Sequence, residues 1–160
     1  MIADDKILRE QLVETLRGGQ AHANIVDAVK DFPPEHYGSR PKGAPYSAWQ
    51  LLEHIRIALN DILDFSTNPR YAALNWPGDY WPKQDAPPKL SDWDASFNAI
   101  SADLEAFESL IRNPESNLYA RIPWGDGQTL LREVLLVIDH NSYHIGQLVM
   151  LRKELGDWKG

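Results

Sequence analysis

The chain contains no cysteine among its 160 residues. This absence excludes disulfide bridges, thiolate zinc sites, iron–sulfur clusters and a cysteine nucleophile, so imidazole and carboxylate groups are the only strong metal ligands left. Long hydrophobic runs are also missing: no stretch of about 18 apolar residues occurs, and residues 1–10 hold no apolar block of signal-peptide length. We therefore expect a soluble, cytoplasmic protein.

Positive charge is scarce as well. Lysine and arginine total 16 against 23 aspartate and glutamate residues, which gives a net charge of −7. An acidic excess opposes binding to nucleic-acid phosphates and to anionic membranes, so we expect neither as a partner. The length fits one domain, residues 1–160, with one continuous core.

Four stretches carry apolar residues at helical spacing. Ser47, Ser91 and Thr129 are suited to start helices as N-caps, and Gly156 is suited to end one. The four predicted helices cover residues 4–30, 51–65, 91–112 and 130–155. The proline-rich segment between the second and third is long enough to cross a bundle, so these two helices can run parallel. The prediction is an all-α, up-down-down-up four-helix bundle.

Three histidines lie on the apolar faces of predicted helices. His140 and His144 are one turn apart in the fourth helix, and His54 shares its side of the second helix with apolar residues. A single buried histidine is commonly a core residue bonded to a carbonyl or to water. Three would each cost a few kcal/mol of desolvation without partners, and one divalent cation satisfies all of them. We therefore predict a metal site, with ligation weakening below about pH 6 because imidazole must be neutral to bind.

The metal itself is less specified. Three neutral imidazoles with an open fourth position match catalytic zinc sites, while nickel, iron and manganese also accept imidazole ligands. His22 faces the same side as the apolar residues of the first helix, and it is either a fourth ligand or a residue that contacts a ligand or the substrate. His36, in a proline-rich loop, is expected at the surface.

Two carboxylates share a helix face with the histidines. Glu133 precedes His140 by seven residues, and Asp61 follows His54 by the same interval. Either is a candidate catalytic proton acceptor or a partner of a metal ligand, and either can equally be a charge at a helix end or along a groove. Gln147, one turn after the last histidine, can contact a bound ligand or simply pack.

The motifs around these histidines resemble the DinB/YfiT-like superfamily of bacterial four-helix metalloproteins. The similar segments are Tyr46-Ser-Ala-Trp-Gln-Leu-Leu-Glu-His54, Trp76-Pro77 with Tyr80-Trp81-Pro82, and Asp139-His-Asn-Ser-Tyr-His-Ile-Gly-Gln147. The resemblance implies an up-down-down-up bundle and a divalent metal, often zinc or nickel. It also implies that His54, His140 and His144 are the ligands, a triad that does not include His22.

Two classes of function follow. Similar proteins include metal-dependent hydrolases, thiol-dependent isomerases and S-transferases, so one hypothesis is an enzyme that activates water or a small-molecule thiol. The alternative is a non-catalytic, metal-binding stress-response protein whose metal is structural. The partner expected for the enzyme is a small-molecule substrate. The resemblance implies a homodimer, because bundles of this family commonly pair, and the third predicted helix also has a broad apolar stripe that includes Phe97 and Phe107.

Overall fold

The computed structural model describes residues 3–159, and over these residues the protein is all-α. The five α-helices are α1 (Ala3–Arg17), α2 (Ile25–Val29), α3 (Ala48–Thr67), α4 (Leu90–Arg112) and α5 (Leu130–Leu155). Single 3-10 turns occur at Pro34–His36 and Gly78–Tyr80. The β-pairing in this part of the chain is limited to one isolated bridge between Arg121 and Thr129. None of the described helices combines the length and the apolar character needed to cross a membrane.

The prediction of one helix over residues 4–30 is wrong. The helix ends at Arg17, because Gly18 and Gly19 adopt positive φ angles of 69° and 84°, outside the right-handed helical region. The short helix α2 then starts afresh. The side chain of Asn24 accepts the backbone N–H of Asp27, whose carboxylate accepts the N–H of Asn24 in return.

The other three predicted helices form within a few residues of their expected ends. Ser47 and Gln50 exchange hydrogen bonds of 3.2 Å at the start of α3, which is the reciprocal capping that the sequence predicts. Thr129 caps α5, and Gly156 ends it in the left-handed conformation at φ 79°. Ser91 is not an N-cap as predicted, because α4 starts one residue earlier, at Leu90.

Helix α3 lies between α4 and α5 and contacts both. Towards α4, Ser96 donates to Glu53, and further along both helices Asn60 donates to Asp103 over 3.1 Å. The pairs occur in the same order along the two helices. Towards α5 the order is reversed, because the carboxyl end of α3 accepts a hydrogen bond from Trp124, just before α5 begins. This reversed pairing brings the first half of α3 opposite the middle of α5.

Two buried arginines hold the ends of neighbouring helices. Arg9 of α1 donates to the last carbonyl groups of α4 and the turn after it, those of Ile111, Asn113 and Ser116, over 2.6–3.0 Å. Arg152 of α5 donates in the same way to the carbonyls of Asp27, Ala28 and Lys30 at the end of α2. The planar guanidinium fork serves several acceptors at once, so each side chain satisfies carbonyls that a helix end leaves free.

The apolar stripe of the third predicted helix is not spare surface. Phe107 is fully buried, and Phe97 packs against the core from a partly buried position. The reason for expecting a dimer through these two residues is therefore lost. The exposed large apolar side chains of the bundle include Leu135, Tyr143 and Met150, all on α5.

Candidate metal centre

The three predicted ligand histidines come together in the space between α3 and α5. His54 lies in the first half of α3 and is 2% exposed, while His144 on α5 is 7% exposed. His140, one turn earlier on α5, is half-buried. One potential ligand atom from each ring can be chosen so that all three atoms lie within 4.8 Å of one another. In the described part of the chain, no other histidine or carboxylate joins this group.

The closest approach is between two ring nitrogens. Nε2 of His140 lies 3.0 Å from Nε2 of His54. Ligand bonds of about 2.0–2.1 Å in a tetrahedral zinc site place neighbouring nitrogens roughly 3.3 Å apart, so the observed separation fits two ligands of one ion. The rings of His54 and His144 meet edge-on, with centroids 4.5 Å apart. Imidazoles converging in this way fit a divalent metal.

Hydrogen bonds fix which nitrogen of two histidines is free to bind. Nδ1 of His54 donates to the backbone carbonyl of Tyr80 over 2.8 Å, because a carbonyl oxygen can only accept. Nδ1 of His144 donates to Oε1 of Gln147 over 2.7 Å. Both rings therefore direct the lone pair of Nε2 away from these partners. Nδ1 of His140 is buried and has no hydrogen-bond partner.

Aromatic rings enclose one side of the centre. The indole of Trp81 stacks on the ring of His54, with centroids 3.8 Å apart, and the ring of Tyr46 stacks on the same indole at the same centroid distance. Tyr143, whose side chain is exposed, meets the ring of His144 edge-on at 4.9 Å. Because Trp81 follows Tyr80 directly, the same short piece of the connection between α3 and α4 supplies a ring face and a carbonyl to His54.

Burial keeps the histidines neutral. Burial, with a smaller contribution from repulsion by the neighbouring imidazoles, lowers the pKa of His54 and that of His140 from 6.5 to about 4. The pKa of His144 is also lowered, again because the ring is buried. Neutral imidazole is the form that binds metal, so the centre is ready to ligate at neutral pH without losing protons.

The other two histidines lie elsewhere. His22 is exposed in the turn between α1 and α2, and its Nδ1 lies 2.9 Å from the carbonyl of the next residue, Ala23. The structure does not bring it to the triad, because the break after α1 removes the helix that would have carried it there. His36 is partly exposed and pairs with the carboxylate of Asp157. Its place near the surface agrees with the sequence prediction.

The two candidate carboxylates are engaged with other side chains. Asp61 accepts the hydroxyls of Tyr71 and Tyr80, over 3.0 Å and 2.6 Å. Glu133 is 1% exposed, and both of its oxygens accept from Arg132, while burial raises its pKa. Seven residues of helix span about 10 Å, so Asp61 lies two turns from His54 on α3, and Glu133 lies two turns from His140 on α5.

Three contacts of the centre were missing from the sequence interpretation. Gln147 is an acceptor for His144, and the spacing of three residues on one helix could have indicated it. The carbonyl of Tyr80 and the ring of Trp81 come from an irregular segment, where no periodicity relates a residue to a helix face. Only the family resemblance, which rests on the Tyr80-Trp81 motif together with the histidine motifs, connected this segment with the histidines.

Comparison with known proteins agrees with this arrangement. The model of the DinB family matches residues 10–159, which is nearly the whole chain. No curated protein and no solved structure gave a significant match. The matched residues include all three histidines, the helices α3 and α5 that carry them, and the connection that contacts His54. The chain belongs to the DinB family.

Proposed function

We propose that His54, His140 and His144 bind one divalent metal ion, with zinc or nickel as the first candidates and iron or manganese as the others. The observation that carries the proposal is the 3.0 Å approach of two Nε2 atoms inside a buried cluster. A hydrogen bond between these two nitrogens would serve only two of the three rings, whereas a shared cation gives the lone pairs of all three histidines a partner.

The chain supplies three donors and leaves room for a ligand from outside. Tyr80 and Gln147 hold two of the rings in the tautomer that binds through Nε2. In the residues that the structure describes, no carboxylate or further histidine completes the set. Three-histidine sites with an open position are typical of catalytic rather than structural zinc.

We propose a metal-dependent enzyme, either a hydrolase or a thiol-dependent transferase. A divalent ion in this site supplies a Lewis acid that lowers the pKa of a water or thiol ligand towards neutrality. Because the chain has no cysteine, a thiol must come from a small molecule. The role of the chain is to hold neutral imidazoles in place and to exclude water with the rings of Trp81 and Tyr46.

A cavity beside the centre supports a small-molecule substrate. It has a volume of about 290 Å³, and its wall includes Tyr46, which stacks on Trp81, and Gln147, which accepts from His144. The apolar residues Leu51, Met150 and Leu151 also line it. Ligand pockets are commonly apolar with a few polar groups, and this one lies at the small end of their range of about 300–1,000 Å³. We propose that it accepts an apolar part of the substrate.

The alternative is a stress-response protein with a structural metal. The burial of His54 and His144 favours it, since closed sites are typical of structural ions. Under either function we propose a single cytoplasmic domain folded as an up-down-down-up bundle, without nucleic acid or membrane as a partner. The homodimer stays a prediction, and sedimentation of the protein at tens of micromolar would test it.

Elemental analysis of protein purified without added metal tests the shared proposal, and a substrate screen separates the two functions. We expect about one divalent ion per chain. Turnover of a thiol-cofactor, ester or amide substrate, lost in His140→Ala, would support the enzyme. Stoichiometric metal without turnover, together with unfolding on chelation, would support the structural role. Protein that cannot be loaded with any of these metals would overturn both.

A further inference from the structure

Two tyrosines of the connection between α3 and α4 converge on one carboxylate of α3. The hydroxyl of Tyr80 donates to Asp61 over 2.6 Å, and that of Tyr71 donates over 3.0 Å. Burial and these hydrogen bonds raise the pKa of both tyrosines, that of Tyr71 to about 12, so both hydroxyls keep their protons at neutral pH. Asp61 therefore ties the connection to α3 at two points.

The same tyrosine also reaches the metal centre, through its backbone. The carbonyl of Tyr80 accepts from Nδ1 of His54 over 2.8 Å, and the next residue, Trp81, stacks on the His54 ring. Its side chain ends at Asp61, two turns further along the helix that carries His54. One residue thus joins a carboxylate that lies outside the histidine group to the orientation of a ligand ring.

The connection needs such an anchor. Most of residues 72–79 are exposed, and the one regular element in the segment is the short turn Gly78–Tyr80. A segment of this kind has many accessible conformations, and fixing each of its residues costs backbone entropy. Without a contact that fixes Tyr80, its carbonyl would not stay in line with the imidazole of His54.

We propose that Asp61 is a positioning residue of the metal centre, which acts through Tyr80 to fix the tautomer and the orientation of His54. The inference rests on the proposed metal binding, and it assigns Asp61 a role at the ligand rather than at the substrate. Partners of ligand histidines typically contribute 10- to 100-fold to metal affinity. Asp61 acts one step further out, so we expect an effect of about tenfold, at the lower end of that range.

The test uses Co²⁺ as the probe, because its visible spectrum reports the geometry of the ligands as well as occupancy. The informative variant is Tyr80→Phe, which removes one hydroxyl and keeps the ring and the backbone carbonyl. Tyr71→Phe is the matched control, since it also removes a hydroxyl from Asp61 while none of the hydrogen bonds of Tyr71 reaches a ligand histidine. Asp61→Ala and the double variant with Tyr80→Phe complete the set.

We expect Tyr80→Phe and Asp61→Ala to bind Co²⁺ about tenfold more weakly and to show an altered spectrum at saturation, with Tyr71→Phe matching wild type. The double variant should bind no more weakly than Asp61→Ala alone, because both changes break one chain of contacts. Far-ultraviolet circular dichroism confirms folding of each variant. A merely structural role would lower the melting temperature without changing the spectrum of the saturated centre.

The outcomes distinguish a failure of the proposed metal site from a failure of the positioning role of Asp61. Wild-type protein that fails to bind Co²⁺ at the three histidines would overturn the proposed metal site and the positioning role with it. Wild-type binding together with unchanged affinity and spectrum in Tyr80→Phe would leave the metal site intact and overturn the role of Asp61. Equal losses in Tyr80→Phe and Tyr71→Phe would also overturn it, because the effect would then be general anchoring.

Discussion

The buried arginines and the buried histidines are two kinds of polar group in one interior, and they differ in where their partners lie. Arg9 and Arg152 donate to three carbonyls each at the ends of neighbouring helices, and only Nε of Arg152 is left without a partner. The histidine cluster instead turns Nε2 atoms of His54 and His140 towards each other. The arginines find nearly all their partners within the fold, whereas the converging nitrogens of the histidines fit a group from outside it.

Buried polar groups with a structural role differ from those with a functional role in whether they find their partners within the chain. A buried polar side chain that completes its hydrogen bonds within the chain stabilises the fold and gives no evidence of a ligand. In the histidine cluster, the chain holds Nδ1 of His54 and Nδ1 of His144 while the rings converge, and this arrangement fits a ligand that the chain does not supply. Substituting a buried arginine should therefore lower stability and keep the metal content, whereas substituting a histidine of the cluster should abolish metal binding.

The largest expected effect is loss of the metal. His140→Ala removes one of three ligands, and we expect stoichiometric binding to disappear, because two imidazoles hold a cation far more weakly than three. His36→Ala is the matched control, since His36 pairs with Asp157 outside the centre and should keep wild-type metal content. Elemental analysis after desalting measures both. Equal metal in the two variants would show that the cluster is not the site.

Substitution of a buried arginine should lower stability and leave the metal content unchanged. Arg152→Ala leaves carbonyls at the end of α2 without donors, and we expect a loss of about 3 kcal/mol, or roughly 6–12 °C in melting temperature for this length. Lys153→Ala, at the exposed neighbouring position, is the control and should change little. Metal content should be unchanged in both. Loss of metal affinity in Arg152→Ala without loss of stability would break the distinction.

Chelation should have a slightly smaller effect on stability. A metal that binds only the folded chain contributes about 2.7 kcal/mol at a hundredfold excess over its Kd, so its removal should lower the melting temperature by roughly 5–10 °C. His54→Ala should respond little to the chelator. A wild-type melting curve that ignores chelation, in protein shown to lose its metal, would mean that the centre does not support the fold.

The pKa values of the histidines set the pH at which the metal stops stabilising the fold. The folded-state pKa of His54 and that of His140 are lowered to about 4, so we expect protons to compete with the metal near that pH, below the pH 6 predicted from the sequence. The unfolded chain binds these protons at its ordinary pKa of about 6.5, so the stability of metal-free protein falls as the pH drops from 6.5 towards 4. Melting curves with and without chelator should differ at pH 5 and coincide below pH 4.

The sequence predicts the ligands better than it predicts what surrounds them. Helical periodicity identifies the buried faces that carry His54 and His140, since a residue on a regular helix has a fixed direction. It fails at Gly18, where apolar residues continue at helical spacing on both sides of a turn with positive φ. It gives nothing for Tyr80 and Trp81, whose positions depend on tertiary contacts of an irregular segment with α3.

The smallest expected effect concerns the internal partner of a ligand. Gln147→Ala removes the acceptor of His144 Nδ1, and we expect metal affinity to fall about tenfold, which is about 1.4 kcal/mol, because the ring loses the bond that fixes its tautomer. Gln147→Glu keeps an acceptor at the same distance and should retain binding. Met150→Ala, one turn further along α5 and also in the wall of the adjacent cavity, is the matched control and should bind as wild type. Competition with a chromophoric chelator measures all three affinities. If Gln147→Ala binds as tightly as Met150→Ala, the hydrogen bond to Gln147 merely satisfies a buried donor, as the arginine contacts satisfy carbonyls, and the outer nitrogens of the cluster do not tune the metal.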